Sequence, residues 1–313
     1  MNKLVVSSSP HIHTPNSTTR IMLDVIIALL PAAIAGVILF GIDALVVIGI
    51  CVVTSVLSEM IFNIAVKKEQ TVGDLSAVVT GLILGLSLPA DATIWWQSIV
   101  ASVFAIVVVK CLFGGLGCNF ANPAATGRIF VFIAFSTSIG RGVLPKIAEV
   151  TTSATTLEAI KGGAPEGALP SLVDMFLGLR GGAIGETCIL ALVIGFVYLV
   201  LRGVIYFETP LIYVGTVFVL SLIGYGSLEI ALYQILSGAV VYAAVFMITD
   251  YVSTPITRTG KMIFAFGCGL ITFLIRFYGS YPEGVSFALL IMNILSPYIE
   301  KWTMKRPLGG KKA

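Results

Sequence analysis

LSAVVTGLILGLSLPAD, residues 75–91, and LSGAVVYAAVFMITD, residues 236–250, decide how this chain is read. Both begin Leu-Ser, both are apolar, and both stop at a helix break. Pro89 closes the first, and Asp250 closes the second with Pro255 just beyond. Each is followed by an apolar span that ends in one basic residue, Lys110 or Arg276. A glycine-rich turn comes next in both, FGGLGCN (113–119) and YGSYPEG (278–284). A segment that returns with the same flanks marks an internal repeat.

Outward from these two segments, apolar runs fill most of the chain. They lie at 21–41, 44–66, 74–88, 94–112 and 122–140, then at 184–203, 209–224, 231–250, 261–277 and 284–301. A membrane span needs about 20 apolar residues, and fewer when a half-helix is buried in protein. Ten spans result, with the third and eighth short or broken. The repeated segments are spans three and eight. They stand five places apart in the order of spans, an odd number, so the two copies cross in opposite directions. The expected fold is therefore an all-α integral membrane protein of about ten transmembrane helices, arranged as two inverted five-helix repeats. Such repeats place functional sites near the midplane, at broken helices.

Composition agrees. Of 313 residues, 57 % are apolar and 11 % charged, against about 25 % charged in soluble domains. Mean hydropathy is +1.01. The 19 Lys and Arg and 16 Asp and Glu are too few to cover a soluble surface of this size. The 32 glycines suit close helix approach in a membrane, although spacings such as Gly81 to Gly85 carry little functional information. Trp95, Trp96 and Trp302 sit at span ends, as an interfacial aromatic belt requires. Nucleic-acid binding has no support, because the basic residues form no stripe with interleaved aromatics. No cleavable signal peptide is expected, since no apolar core precedes Arg20.

The positive charges orient the chain. With a cytoplasmic N-terminus, 14 Lys and Arg fall inside. Only Arg141, Lys146, Lys161, Arg180 and Arg276 fall outside. The positive-inside rule then puts both termini in the cytoplasm and the single long connection outside. The organisation expected is a cytoplasmic segment 1–20, a first repeat 21–140, an extracytoplasmic loop 141–183, a second repeat 184–301 and a basic tail 302–313.

Ionisable residues within spans are costly and default to function. Asp24, Asp74 and Glu186 lie near span ends, where reaching the interface or a helix N-terminus accounts for them. Glu59 lies deeper, and Asp250 ends the broken eighth span. A carboxylate beside freed backbone carbonyls is a hard-cation or proton site. Asp250, Glu59 and Asp24 are therefore the ion-path candidates, with pairing to Arg128 or Arg258 as the structural alternative. Cys111 and Cys118 lack a second close pair to complete an iron site, and the five cysteines read as small apolar residues. His11 and His13, at i and i+2, share no helix face and are read as a solvated or interfacial segment. No metal site is expected. No Ser-His-Asp set, zinc spacing or Walker loop appears.

The long loop contains TTSATTLEA (151–159). This resembles the flavin-attachment motif of the Rnf D and related Nqr B subunits, Ser/Thr-x-Ala-Thr and an apolar residue. Four further regions resemble that family in order. They are SSSPHIHTPNSTTRIML (7–23), DLSAVVTGLILGLSLP (74–89), KCLFGGLGCNFANPAATG (110–127), and MITDYVSTPITRTGKMIFAFG (247–267) with GSYPEGVSFALLIMN (279–293). Ser153 replaces a frequent Gly, and Tyr251 replaces the usual Pro of Thr-Asp-Pro. The short N-terminal segment favours the Rnf D branch. The resemblance implies FMN attached through a phosphoester to Thr155, with Ser153 and Ala154 completing the motif and Thr156 as a neighbouring hydroxyl. It also implies a non-covalent riboflavin. The implied function is electron relay in a complex that oxidises ferredoxin, reduces NAD⁺ and exports Na⁺ or H⁺. Iron–sulfur, NAD-binding and second flavin subunits are the implied partners. A stand-alone channel or secondary transporter with a 5+5 inverted repeat is the alternative, and it leaves the TSAT motif unexplained. A scaffold subunit without flavin is a third reading.

Overall fold

The computed structural model describes residues 17–140, 142–146, 155–162, 169–279, 281 and 283–304. Among them there is no β-strand, only two isolated bridges, Pro89 with Ala183 and Val143 with Gly182. The first helices are α1 (Thr18–Phe40) and α2 (Ile42–Val66), joined by Gly41 at φ +78°. The short α3 (Ser76–Leu86) follows, then α4 (Trp95–Val103), which continues as a π-helix over Phe104–Cys111. Then come α5 (Pro123–Ala134) and α6 (Ser136–Ile139). Two small helices lie in the long connection, α7 (Thr156–Lys161) and α8 (Leu172–Leu177). The second half contains α9 (Ile189–Leu201), α10 (Glu208–Tyr225), α11 (Leu228–Leu236), α12 (Val240–Phe246), α13 (Arg258–Tyr278) and α14 (Val285–Thr303).

Five described helices are long and apolar enough to cross a membrane: α1, α2, Ala92–Cys111, α10 and α13. The pair α11 and α12, bent by 51°, makes a sixth if it counts as one span. The other expected spans are shorter or more polar. α3, α5 and α9 have 11, 12 and 13 residues. α14 carries Asn293, Pro297, Glu300 and Lys301. The third span is short, as its sequence predicts, while the eighth is broken inside the run, between Leu236 and Val240, and not only at Asp250 as its sequence suggests.

The core is built around the two short helices. Every residue of α3 but Val78 is buried, and every residue of α12 but Val241. α3 packs on α1, α2 and α5, while α12 packs on α9, α10 and α14. The α2–α3 approach needs Gly81 and Gly85. A Cβ on Gly81 would stand 2.8 Å from the Cys51 carbonyl oxygen, and one on Gly85 would stand 3.0 Å from Ile48 Cα. Tyr242 of α12 donates to the Ile83 carbonyl of α3 at 2.8 Å. Ser76 at the start of α3 and Phe246 at the end of α12 line one cavity. Ser87, just past α3, and Gly238, just before α12, line another. The two short helices thus lie side by side with opposite ends together.

Breaking a helix frees backbone groups that must find partners. At the end of α3, Gly185 N–H donates to the Leu86 carbonyl (2.7 Å) and Ile184 N–H to the Leu88 carbonyl (3.1 Å). At the α11–α12 break, Arg276 Nη1 donates to the Gln234 carbonyl and Nη2 to the Ser237 carbonyl (3.2 Å). Glu283 Oε1 accepts from Ala239 N–H at 2.6 Å. A cation thus sits at one helix's C-terminal end and an anion at the next helix's N-terminal end, as the helix dipole favours.

Candidate functional site

Thr155 is the N-cap of α7. Its Oγ1 accepts from Glu158 N–H (3.3 Å), and Glu158 Oε2 accepts from Thr155 N–H (2.8 Å), a reciprocal capping box. The cap fixes where the hydroxyl points while leaving Thr155 only half-buried. Thr156 differs: it is buried, and its hydroxyl faces Met175 Sδ at 3.6 Å. Of the two neighbouring hydroxyls, Thr155 is the more accessible. Ser153 and Ala154 lie outside the described residues, as do His11 and His13.

Thr155 opens into a cleft of about 660 Å³ whose other polar walls include Arg128, Arg180, Glu186, Ser237 and Glu283. Arg128 Nη2 stands 2.6 Å from Glu283 Oε2 and 2.7 Å from Glu186 Oε1. The Glu186 contact is an ion pair without hydrogen-bond alignment, so that Glu186 oxygen lacks a donor. Arg180 Nη2 donates to the Glu186 main-chain carbonyl at 2.7 Å. Arg128 Nη1, Arg180 Nε and Ser237 Oγ are buried with no hydrogen-bond partner. Burial pushes the Arg180 guanidinium down to about 10, against the pull of Glu186 and Glu283. Such a cleft offers unmet donors to an anion beside a modifiable hydroxyl.

α7 is tied to the second half of the chain. Lys161 Nζ donates to the carbonyls of Gly279 and Tyr281, at 2.5 and 2.8 Å. Lys146 Nζ reaches Asp43 Oδ2 (2.7 Å), and Lys146 N–H reaches the Leu39 carbonyl (2.9 Å), at the α1–α2 turn. Two glycine runs close the wall around Thr155. A Cβ on Gly142 would stand 2.6 Å from Thr155 Cγ2, 3.7 Å from Gly182 N and 3.8 Å from the Gly181 carbonyl carbon.

The ion-path candidates do not meet at one place. Glu59 is buried with Lys110, whose Nζ lies 3.0 Å from both carboxylate oxygens and donates to Ser76 Oγ (2.6 Å). Thr71 donates to Glu59 Oε1 at 2.8 Å. The π-helix carries Lys110 into this position. Asp24 accepts from Arg202 Nε (3.1 Å), Arg202 Nη2 (3.2 Å) and Tyr198 OH (2.9 Å). Asp250 has no ion pair among the described residues. It accepts from Ser253 Oγ (2.7 Å), Val252 N–H (3.3 Å) and Asn122 Nδ2 (3.4 Å). The expected pairing with Arg128 or Arg258 is corrected: Arg128 holds Glu186 and Glu283, and Arg258 holds Glu208. Asp250 and Lys110 line a second cavity of about 820 Å³, otherwise mostly apolar, with Ser76 and Asn119 among its polar walls.

Glu186 does not serve the interface, as its place near a span end predicts. It is 3 % exposed and faces Arg128. Arg180, Arg276 and Glu283 escape a reading by spans, because they flank turns rather than interrupt apolar runs. The visible signal is RGGAIGE (180–186), two charges around a glycine run that lets backbones approach. Asp74 stands just before α3 and accepts from Ser76 N–H at 2.8 Å. Cys118 is exposed while Cys111 is buried, and no cluster of metal-ligating side chains exists among the described residues.

The chain is similar to known proteins over almost its whole length. The NQR2, RnfD, RnfE family model matches residues 5–309. A relative from Acetobacterium woodii, the D subunit of a Na(+)-translocating ferredoxin:NAD(+) oxidoreductase complex, is 46 % identical over 312 residues, covering 99 % of this chain and 96 % of the relative. The D subunit of the proton-translocating ferredoxin:NAD(+) oxidoreductase complex of Clostridium ljungdahlii is 37 % identical, over 99 % of this chain and 98 % of the relative. The D subunit of the ion-translocating oxidoreductase complex of Halorhodospira halophila is 35 % identical, over 99 % and 96 %. With the repeated segments, the apolar helices and the match in agreement from end to end, the chain belongs to the NQR2, RnfD, RnfE family.

Proposed function

We propose that this chain is the D-type membrane subunit of a redox-driven ion translocase of the ferredoxin:NAD⁺ oxidoreductase type. In this reading it carries FMN on Thr155 and relays electrons between partner subunits. The observation that carries it is the half-buried Thr155 hydroxyl at a cleft with unpaired guanidinium nitrogens. Those residues fit a tethered anionic cofactor, with Arg128 and Arg180 offering donors and the glycines at 140, 142, 181 and 182 leaving room. When bound, FMN accepts one or two electrons and so joins one-electron carriers to hydride chemistry. Thr155 anchors it without joining turnover, and the capping box holds that anchor in one orientation. The Arg128–Glu186–Glu283 group fixes the cleft floor to the α11–α12 break. A break held by charges is an element that a redox change nearby can bias.

The second cavity is the place proposed for a non-covalent riboflavin, being mostly apolar with a few polar groups. Asp250 belongs to the same end of the molecule and is a ligand for Na⁺ or a carrier of H⁺, lacking a resident cation. The named relatives differ in the ion they move, and either ion suits a carboxylate. Iron–sulfur, NAD-binding and second flavin subunits complete the path. The antiparallel α3 and α12 support two inverted five-helix repeats, with a cytoplasmic N-terminus at 1–20 and tail at 302–313. Loop 141–183 then faces outward, from a cytoplasmic membrane. Buried Lys110, Arg128, Arg180 and Arg276 do not count as loop charges. Removing them leaves twelve Lys and Arg inside against three outside, which supports the same orientation.

The test is direct. The chain purified from the cells that make it, denatured and run on a gel, is expected to fluoresce as flavin does. A colourless, non-fluorescent chain contradicts the reading.

A further inference from the structure

Arg180 lines the Thr155 cleft and forms no ion pair among the described residues. It is 2 % exposed. Nη2 is spent on a neutral main-chain carbonyl, that of Glu186. Nε has no partner, and no carboxylate forms an ion pair with Arg180 among the described residues. Arg128, by contrast, is held by both Glu186 and Glu283. Of the carboxylates lining the cleft, Glu158 is tied to Thr155 N–H, and Glu186 and Glu283 are held by Arg128, so the buried Arg180 guanidinium has none of its own. Burying such a charge is costly unless an anion arrives to meet it. Arg180 begins the turn whose next two residues, Gly181 and Gly182, share the Gly142 contact with Thr155. The unpaired guanidinium and the anchoring hydroxyl thus belong to one wall.

We infer that Arg180 is the fixed counter-charge for electron uptake in this cleft, and that it raises the reduction potential of the flavin there. The inference rests on reading Thr155 as the flavin-bearing residue. One electron enters, supplied by a reductant in solution or by a partner protein in the complex. No bond is made or broken. The added negative charge is balanced by the guanidinium instead of by a proton. In surroundings poor in water this attraction is large, because little solvent screens it. Glu186 opposes the effect from the same cluster, so the two residues have opposite influence.

The full chain, purified with its flavin and titrated with dithionite in a spectroelectrochemical cell, decides the matter. The intact mass first establishes the flavin on Thr155. Arg180→Gln is expected to shift the oxidised-to-reduced ratio at fixed potential at least tenfold toward oxidised, a fall of about 59 mV for one electron. Arg180→Lys, which keeps the charge, is expected to keep most of the wild-type value. Glu186→Gln is expected to raise the midpoint. A purely structural role moves the two neutralising variants in the same direction or not at all, and either result overturns the inference. If one variant fails to accumulate, the sign of the other decides. Wild-type chain without flavin on Thr155 overturns both the functional reading and this inference. Loaded chain with an unmoved midpoint overturns the inference alone.

Discussion

Glu59 and Asp250 are both acidic residues in apolar surroundings, yet only Glu59 has a cation against it. Lys110 occupies both Glu59 oxygens and Thr71 adds a third bond. Removing one partner of a buried pair costs about 3–5 kcal/mol, because the other charge stays buried alone. Glu59→Gln is therefore expected to lower thermal stability in detergent sharply, and Glu59→Gln with Lys110→Met to recover most of the loss. Equal instability of both variants would show that the pair is not the cause. Asp250 is held only by neutral donors. Asp250→Asn keeps those contacts in large part, so the flavin and the assembled complex are expected to survive. Ion affinity is expected to fall about tenfold or more, the equivalent of about 1.4 kcal/mol, read as the ion concentration for half-maximal electron transfer in vesicles. Wild-type ion dependence would remove Asp250 from the path. The sequence makes both residues conspicuous, since charge in an apolar run is rare. It hides their difference, because Lys110 lies 51 residues from Glu59 and reaches it through a π-helix that apolar patterning does not reveal.

The helix break between α11 and α12 falls inside the apolar run that the sequence closes at Asp250. Gly238 has φ +62°, and a Cβ there would stand 2.8 Å from Arg276 Nη2, 2.9 Å from Leu157 Cδ1 and 3.1 Å from Glu283 Oε1. Left-handed backbone costs a residue with a side chain roughly 1–2 kcal/mol, before the crowding. Gly238→Ala is expected to lower the melting temperature and to loosen α7, which Leu157 docks here. Faster hydrogen exchange over 156–161 would report that loosening, and unchanged exchange would argue against the coupling. This break is not legible in the sequence, which reads 231–250 as one run that stops at Asp250, because Ser237 and Gly238 interrupt it without a charge or a proline. The short α3, ended by Pro89, is legible. The partners that satisfy these breaks are not legible. Arg276, Glu283 and the Gly181–Gly185 turn come from distant parts of the chain, and no local propensity links them. The lengths of α5 and α9 are missed for a related reason. Burial in protein lets a helix stop short of the bilayer's thickness, and composition alone registers only that it is apolar.

Across the whole molecule, the cleft with Thr155 and the cavity with Asp250 lie at opposite ends of the α3–α12 pair. In the proposed function, electron relay at one end and ion handling at the other are joined by two short helices, one break held by backbone hydrogen bonds and the other by Arg276 and Glu283. The orientation is tested with a cysteine at Val173, which is 66 % exposed in the long connection. In a cysteine-free background, Val173→Cys is expected to react with an impermeant reagent added to whole cells. Reaction only after the membrane is opened would reverse the topology. The electron relay proposed for this chain depends most on one covalent bond. Intact-mass and peptide mass spectrometry of the purified chain are expected to find one FMN less water, attached to Thr155 and absent from Thr155→Ala. An adduct on Thr156, one that survives Thr155→Ala, or none at all would contradict it.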